Sequence, residues 1–182
     1  MAKARRIPGL DADEPYGTAA VRIVEVRVAE LIDHARGVLD VDDIERVHDM
    51  RVATRRLRAA LEIFGPCFPR RELKTGLRQV KDLADALGER RDRDVSIAAL
   101  EQIAKSMATP DRPGIETLIA RLRAEQAQAN VALARFVTED QLAALCDQLT
   151  ELVANADAPP ADIEDPAPLE VLWLPKREET AA

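Results

Sequence analysis

A ladder of basic side chains is the feature of this chain most able to do chemistry. Its members share one side of a predicted helix and are His48, Arg51, Arg55 and Arg58. They fall within an arc of about 80° at helical periodicity, so neighbours are about one turn, or roughly 5 to 6 Å, apart. Guanidinium groups suit phosphate oxygens because their planar fork donates two hydrogen bonds at once. The pattern predicts a site for an anion with repeated charges, and a solvated charged face is the alternative.

The next predicted helix carries a second basic face. Lys74, Arg78 and Lys81 fall on one side of it together with Asp85, away from its apolar stripe. If both helices pack through their apolar sides, the two basic faces flank a common groove. Arg56 lies off the line of the ladder.

A dense charged segment follows at residues 87–95 and contains Arg90 and Arg91. We expect it to form a loop in which Gly88 caps one helix and Asp92 or Asp94 caps the next. Arg90 and Arg91 would then lie at a helix start, where free main-chain amides also favour anions.

The distribution of charge agrees with an anionic partner for one surface. Residues 45–91 carry twelve Lys/Arg and seven Asp/Glu, a net of +5, whereas the whole chain of 182 residues has a net charge of -7. The overall acidity and the lack of aromatic residues beside the ladder make nucleic acid an unlikely partner.

Other classes of protein are disfavoured by what the sequence lacks. Its two cysteines form no CxxC pair, and no stretch has the residues of a signal peptide or of a membrane span. The only nearby candidates for metal-dependent phosphate chemistry, His48, Asp49, Asp92 and Asp94, fit no metal motif. We therefore expect no catalytic residues, no metal and no cofactor, and a cytoplasmic location.

Helices must position these residues, because every periodic segment of the chain has helical spacing. We predict an all-α antiparallel bundle of about five to six helices over residues 18–155, after a flexible segment at 1–17. The predicted helices cover about 19–39, 42–64, 70–87, 92–107, 115–136 and 138–152. Asp42 with Glu45, and Thr138 with Gln141, are expected to cap two of them.

A flexible, acidic tail is predicted over residues 156–182. It holds five prolines, and its seven acidic residues oppose two basic ones. An apolar patch at residues 169–174 contains the only tryptophan, Trp173. This patch would dock on the bundle, cap a dimer or have no structural role.

Two motifs give the sequence a resemblance to a known family. Residues 47–61, VHDMRVATRRLRAAL, resemble the first signature of the CHAD domain, the conserved histidine α-helical domain. Residues 81–88, KDLADALG, and 91–95, RDRDV, look like its second signature. The resemblance implies a helical module that binds inorganic polyphosphate without catalysis, in some cases at polyphosphate granules. The expected polyphosphate ligands, from the motifs and from the helical faces together, are His48, Arg51, Arg55, Arg56, Arg58, Lys74, Arg78, Lys81, Arg90 and Arg91.

The sequence departs from the family pattern in one respect. A full-length member resembles two similar helical halves around a basic channel, and no second His/Arg helix is found here; the only other histidine is His34. The chain is therefore expected to be a half-length CHAD domain, first repeat only, and a homodimer would restore two such helices. The alternative is a non-catalytic protein-interaction or accessory bundle with a relic phosphate site.

Overall fold

The computed structural model describes residues 3–11 and 13–156, and over these residues the protein is built from α-helices. Five helices follow one another, with two short 3₁₀ turns at Gly65–Cys67 and Thr109–Asp111. Their bounds are α1 Tyr16–Ala35, α2 Ile44–Ile63, α3 Arg70–Ser106, α4 Arg112–Ala134 and α5 Glu139–Ala154. The described residues include no strand, so the predicted all-α class is confirmed.

Four helical segments enclose the main core. α2 packs against α1 and the first half of α3, and α5 packs against α1 and the same half of α3. Helical periodicity puts Met50, Ala53, Leu57 and Leu61 opposite the basic ladder, on the core side of α2. All four are at 0 % exposure, as this pattern predicts. The opposite side of α2 is therefore the one that faces outward.

The second half of α3 leaves this core and packs against α4. The two helices are antiparallel, because Arg90 contacts Asn130 at one end and Glu101 contacts Arg123 at the other. α4 therefore returns the chain along α3 toward the bundle, where α5 begins.

The expected break at Gly88 is absent, and the third and fourth predicted helices are one helix of 37 residues. A single glycine inside a helix costs only about 1 kcal/mol relative to alanine, and no proline interrupts this stretch. The buried side chains Leu87, Arg90 and Asp94 flank the glycine and are packed on both sides of it. Tertiary packing therefore outweighs the local signal, and neither Gly88 nor Asp92 caps a helix.

The predicted helix ends are right at some positions and wrong at others. The hydroxyl of Thr138 accepts from the main-chain N–H of Gln141 at 3.2 Å, which confirms the cap of α5. The cap predicted from Asp42 and Glu45 is absent: α2 begins after Asp43, which makes no side-chain cap and pairs with Arg46 at 2.9 Å. α1 ends at Ala35, so Gly37, with φ of +72°, lies in the following turn and not in the helix.

Two further findings concern membrane spans and the predicted tail. No helix in the described ranges is long and apolar enough to cross a membrane. Of the predicted tail, only Ala156 is among the described residues, so the apolar patch at 169–174 lies outside them.

Candidate anion-binding groove

A groove between α2 and α3 brings the two predicted basic faces together. Arg58 from α2 and Lys74, Arg78 and Lys81 from α3 line it, with Glu62 as its one acidic residue. The groove has a volume of about 450 Å³ and is open to solvent. Four positive charges against one negative charge make it a site that attracts anions.

Beyond the groove, further basic side chains continue along both helices, among them Arg51 and Arg55 of α2. We call this whole surface, groove included, the basic track. The Nη1 of Arg91 lies 2.9 Å from the carbonyl oxygen of Ile44. This contact places residue 91 of α3 beside residue 44 of α2 and so aligns the two antiparallel helices. With an equal rise on both helices, Arg55 lies level with Val80, one residue before Lys81. Arg51 and Arg55 are exposed and, within the described ranges, have no hydrogen-bond or ion-pair partner.

The ion pairs at the groove are of the weak, exposed kind. Arg58 pairs with Glu62 at 2.7 Å, and their side chains are 45 % and 50 % exposed. Lys81 pairs with Asp85 at 3.3 Å and is similarly exposed. Exposed pairs are worth about 0 to 1 kcal/mol, so a phosphate can replace the carboxylate at little cost.

Arg56 has a different environment from the rest of the ladder. Its Nη1 donates to Glu30 at 2.7 Å, and the Glu30 side chain is only 3 % exposed. Helical periodicity placed Arg56 off the line of the ladder, and in the structure its side chain points across the bundle toward α1. Because the Glu30 carboxylate is buried, this ion pair holds the partly exposed Arg56 side chain against α1.

Glu30 is the centre of this α1–α2 contact. Burial by itself raises the pKa of Glu30, but hydrogen bonds from Arg27 and from the main chain of Arg5 outweigh it. The positive charges of Arg27 and Arg56 act in the same direction, and the pKa lies below its ordinary value. The carboxylate is therefore charged and tightly paired.

Arg90 is buried and does not lie at a helix start, which corrects the sequence-based placement. Its side chain is 0 % exposed, lies 3.0 Å from Asp94 and donates to Asn130 at 2.9 Å. Helical continuity through Gly88 is the reason, because it turns residue 90 toward α4. A side chain in this position presents no atom to an anion in the groove.

Arg91 is half-buried and holds the beginning of α2. Besides the carbonyl oxygen of Ile44, its guanidinium lies 3.5 Å from Glu45. Both terminal nitrogens of Arg91 therefore contact the first turn of α2.

His48 lies beside two carboxylates. Potential ligand atoms of Glu45, His48 and Asp49 all lie within 4.8 Å of one another. The sequence pattern placed His48 with the arginines but gave no sign that Glu45 would join it. His48 is half-buried, one turn from Arg51.

Sequence reasoning missed three residues of the track. Thr75 lines the groove, and Arg70 and Arg71 line a shallow hollow that shares Lys74 and Leu77 with it. The adjacent pair of arginines just after Pro69 was an available signal. These two arginines extend the basic track to the first turn of α3.

The comparison with known protein families gives one match. The family model described as the CHAD domain matches residues 22–177, which is most of the chain. The match therefore continues past residue 155, where the sequence analysis placed the end of the helical domain. No curated protein matches the chain.

Proposed function

We propose that this chain, which belongs to the CHAD domain family, binds inorganic polyphosphate in the groove between α2 and α3. The family is associated with polyphosphate binding. The observation that carries the proposal is the convergence of Arg58, Lys74, Arg78 and Lys81 on one groove, opposed by a single carboxylate. In this proposal the ligands are these four residues together with His48, Arg51 and Arg55.

Binding in this proposal rests on charge matching along a linear polyanion. Arg51 and Arg55 lack partners in the described part of the chain, and the groove pairs Arg58–Glu62 and Lys81–Asp85 are exposed. Phosphate oxygens can bind these cations, in place of the carboxylates where a pair exists. Little stability is lost within the protein, because exposed ion pairs contribute little. Release of counterions from the polyphosphate adds the driving force and makes the affinity depend on salt.

Arg56, Arg90 and Arg91 have structural roles in this proposal. Each donates to a protein acceptor on another helix: Glu30, Asn130 and Ile44 respectively. Replacing any of them should lower the free energy of unfolding more than it lowers the affinity for polyphosphate. The proposed activity is binding without turnover of the polyphosphate.

A homodimer is part of the proposal. The basic track lies on the outward side of α2 and α3, so a bound chain is covered from one side only. A second copy facing the first would enclose the polyphosphate between two tracks. Location at polyphosphate granules would follow from the same binding.

The test is a titration with long-chain polyphosphate of the full chain and two charge-matched triple variants. The groove variant is Arg58→Gln, Lys74→Gln and Arg78→Gln. The control is Arg36→Gln, Lys105→Gln and Arg135→Gln, three exposed cations outside the groove. We expect the groove variant to bind about 100-fold more weakly at physiological salt and to lose about two units of the log–log salt slope. The control variant should change less than about fivefold.

Four outcomes would overturn the proposal. Equal losses in the two variants would mean that net charge alone attracts the polyanion. Retained binding by the groove variant would place the site elsewhere, and displacement of polyphosphate by equal charge concentrations of RNA would mean a general polyanion surface. Release of orthophosphate above a blank, with magnesium present, would show that the protein hydrolyses polyphosphate and does not only bind it. Light scattering measures the mass of the complex and so its oligomeric state. A complex that contains one protein chain would rule out the homodimer.

A further inference from the structure

An apolar groove lies between α1 and α5, and the basic track involves neither helix. Val28 and Ile32 of α1 and Cys146, Leu149 and Val153 of α5 form its walls. Its volume is about 310 Å³, and Ala29 and Thr150 lie exposed at its margin. Apolar side chains at an open groove favour a cover of similar character, because covering them removes their surface from water.

The described chain leaves α5 beside this groove. Val153 lines it and Ala156, the last described residue, packs against the same core. The sequence continues through twelve residues, four of them acidic, four apolar and four proline, before an apolar stretch at residues 169–174, LEVLWL. Thirteen residue steps span at most about 45 Å, whereas α5 with its 16 residues is about 24 Å long. The stretch can therefore reach every part of the groove.

Charge and family membership point to the same occupant. Glu25 lies at the edge of the groove beside Asp33, whose carboxylate pairs with Arg5, and Lys176 and Arg177 follow the apolar stretch. The CHAD family match runs to residue 177, so it includes the stretch and the two basic residues. Because the family match includes this stretch, we treat it as part of the domain and not as an unrelated extension.

We propose that residues 169–174 pack into the groove between α1 and α5 of the same chain. Leucine and tryptophan side chains fill the groove between the apolar walls, and Lys176 and Arg177 lie toward Glu25. The proposal concerns a surface away from the basic track and does not depend on polyphosphate binding.

Trp173 is the only tryptophan, so its fluorescence reports directly on this contact. In the full chain we expect an emission maximum clearly to the blue of that in denaturant. Ala29→Arg puts a charged side chain at the groove and should shift the maximum to the red. Ala99→Arg, at an exposed alanine in the second half of α3, is the matched control and should leave it unchanged.

Thiol labelling gives an independent readout on the full chain. Cys146 lines the groove, while Cys67 is fully buried and burial raises the pKa of its thiol. Fast labelling therefore reports Cys146 alone. Leu172→Asp should raise its labelling rate about tenfold, with the far-UV circular dichroism unchanged.

The outcomes separate the possible occupants. Blue emission in a monomer, lost in Ala29→Arg, supports docking within one chain. Blue emission that disappears on dilution together with a dimer mass assigns the groove to a second copy and overturns the proposal. Red emission in the full chain, or a Cys146 labelling rate that Leu172→Asp leaves unchanged, overturns it as well.

Discussion

The guanidinium of Arg91 donates to the carbonyl oxygen of Ile44 at 2.9 Å, so the middle of α3 is attached to the first turn of α2. His48 follows one turn later on α2 and Arg51 one turn after that. The segment that resembles the second family signature thus fixes the helix that carries the first signature. In this arrangement Arg91 positions the basic track and is not part of its exposed surface.

Replacement of Arg91 should therefore affect stability more than affinity. Arg91→Ala removes a charge-assisted hydrogen bond to a main-chain oxygen, and we expect a loss of about 1.5–3 kcal/mol in the free energy of unfolding by urea. Polyphosphate affinity should fall less than in Arg58→Ala. Arg93→Ala is the control, since Arg93 bonds Glu89 of its own helix and lies 3.9 Å from Glu125. Unchanged stability with affinity lost as in Arg58→Ala would make Arg91 a ligand.

Glu62 is the one carboxylate that lines the basic groove, and its removal should strengthen anion binding. In Glu62→Gln, Arg58 loses an exposed partner worth less than about 1 kcal/mol, while the repulsion of phosphate disappears. We expect about threefold tighter binding of polyphosphate in a titration at low salt. Glu72→Gln, an exposed position in the first turn of α3 that does not line the groove, should change the affinity less. Weaker binding by Glu62→Gln would show that Glu62 orients Arg58 for the anion.

Helical periodicity predicted the two basic faces because it needs only the sequence of one helix at a time. It assigned Met50 and Leu57 to the core and Arg55 to the surface, and the structure agrees. It could not identify a partner that lies far away in the sequence. Arg56 is drawn to Glu30, 26 positions earlier, and Arg90 to Asn130, 40 positions later. No local pattern carries these partners, so only the packing of whole helices reveals them.

Replacement by alanine should affect the two glycines of α3 differently. A Cβ at Gly88 meets nothing within 4 Å, so Gly88→Ala gains helix propensity and should stabilise the protein by about 0.5–1 kcal/mol. A Cβ at Gly76 lies 3.2 Å from Leu149, a fully buried core residue of α5. Gly76→Ala should therefore gain less or destabilise. Thermal unfolding of both variants checks this, and a melting temperature lowered by Gly88→Ala would contradict a regular helix at residue 88.

Glu30 should make stability depend on pH in acid. Its pKa in the folded protein lies below the ordinary value of 4.5, so the unfolded chain binds a proton more readily than the folded one. The stabilisation is complete above about pH 5 and is lost as pH falls through the lower, folded pKa. Urea unfolding at a series of pH values should show Glu30→Gln less stable than the parent at pH 7, with the difference shrinking in acid. Glu25→Gln, exposed on the same helix, is the control, and a constant difference for Glu30→Gln would contradict the linkage.

The buried pair of Arg90 and Asp94 should show strong coupling between its two partners. Their side chains are both 0 % exposed, and Asp94 also accepts from Gln126 at 2.6 Å. One oxygen of Asp94 and two nitrogens of Arg90 lack a well-aligned hydrogen bond, so charge attraction at 3.0 Å holds the pair. Such a pair is costly to break from one side, because the remaining charge stays buried without compensation.

A double-mutant cycle measures this coupling. Arg90→Met and Asp94→Leu alone should each cost about 3–5 kcal/mol in the free energy of unfolding by urea. The double variant should cost only about 1–2 kcal/mol, since no buried charge remains and the loss is that of hydrogen bonds to Asn130 and Gln126. Additive costs in the cycle would show that the two side chains act independently, and that α4 is held to α3 by the polar bonds alone.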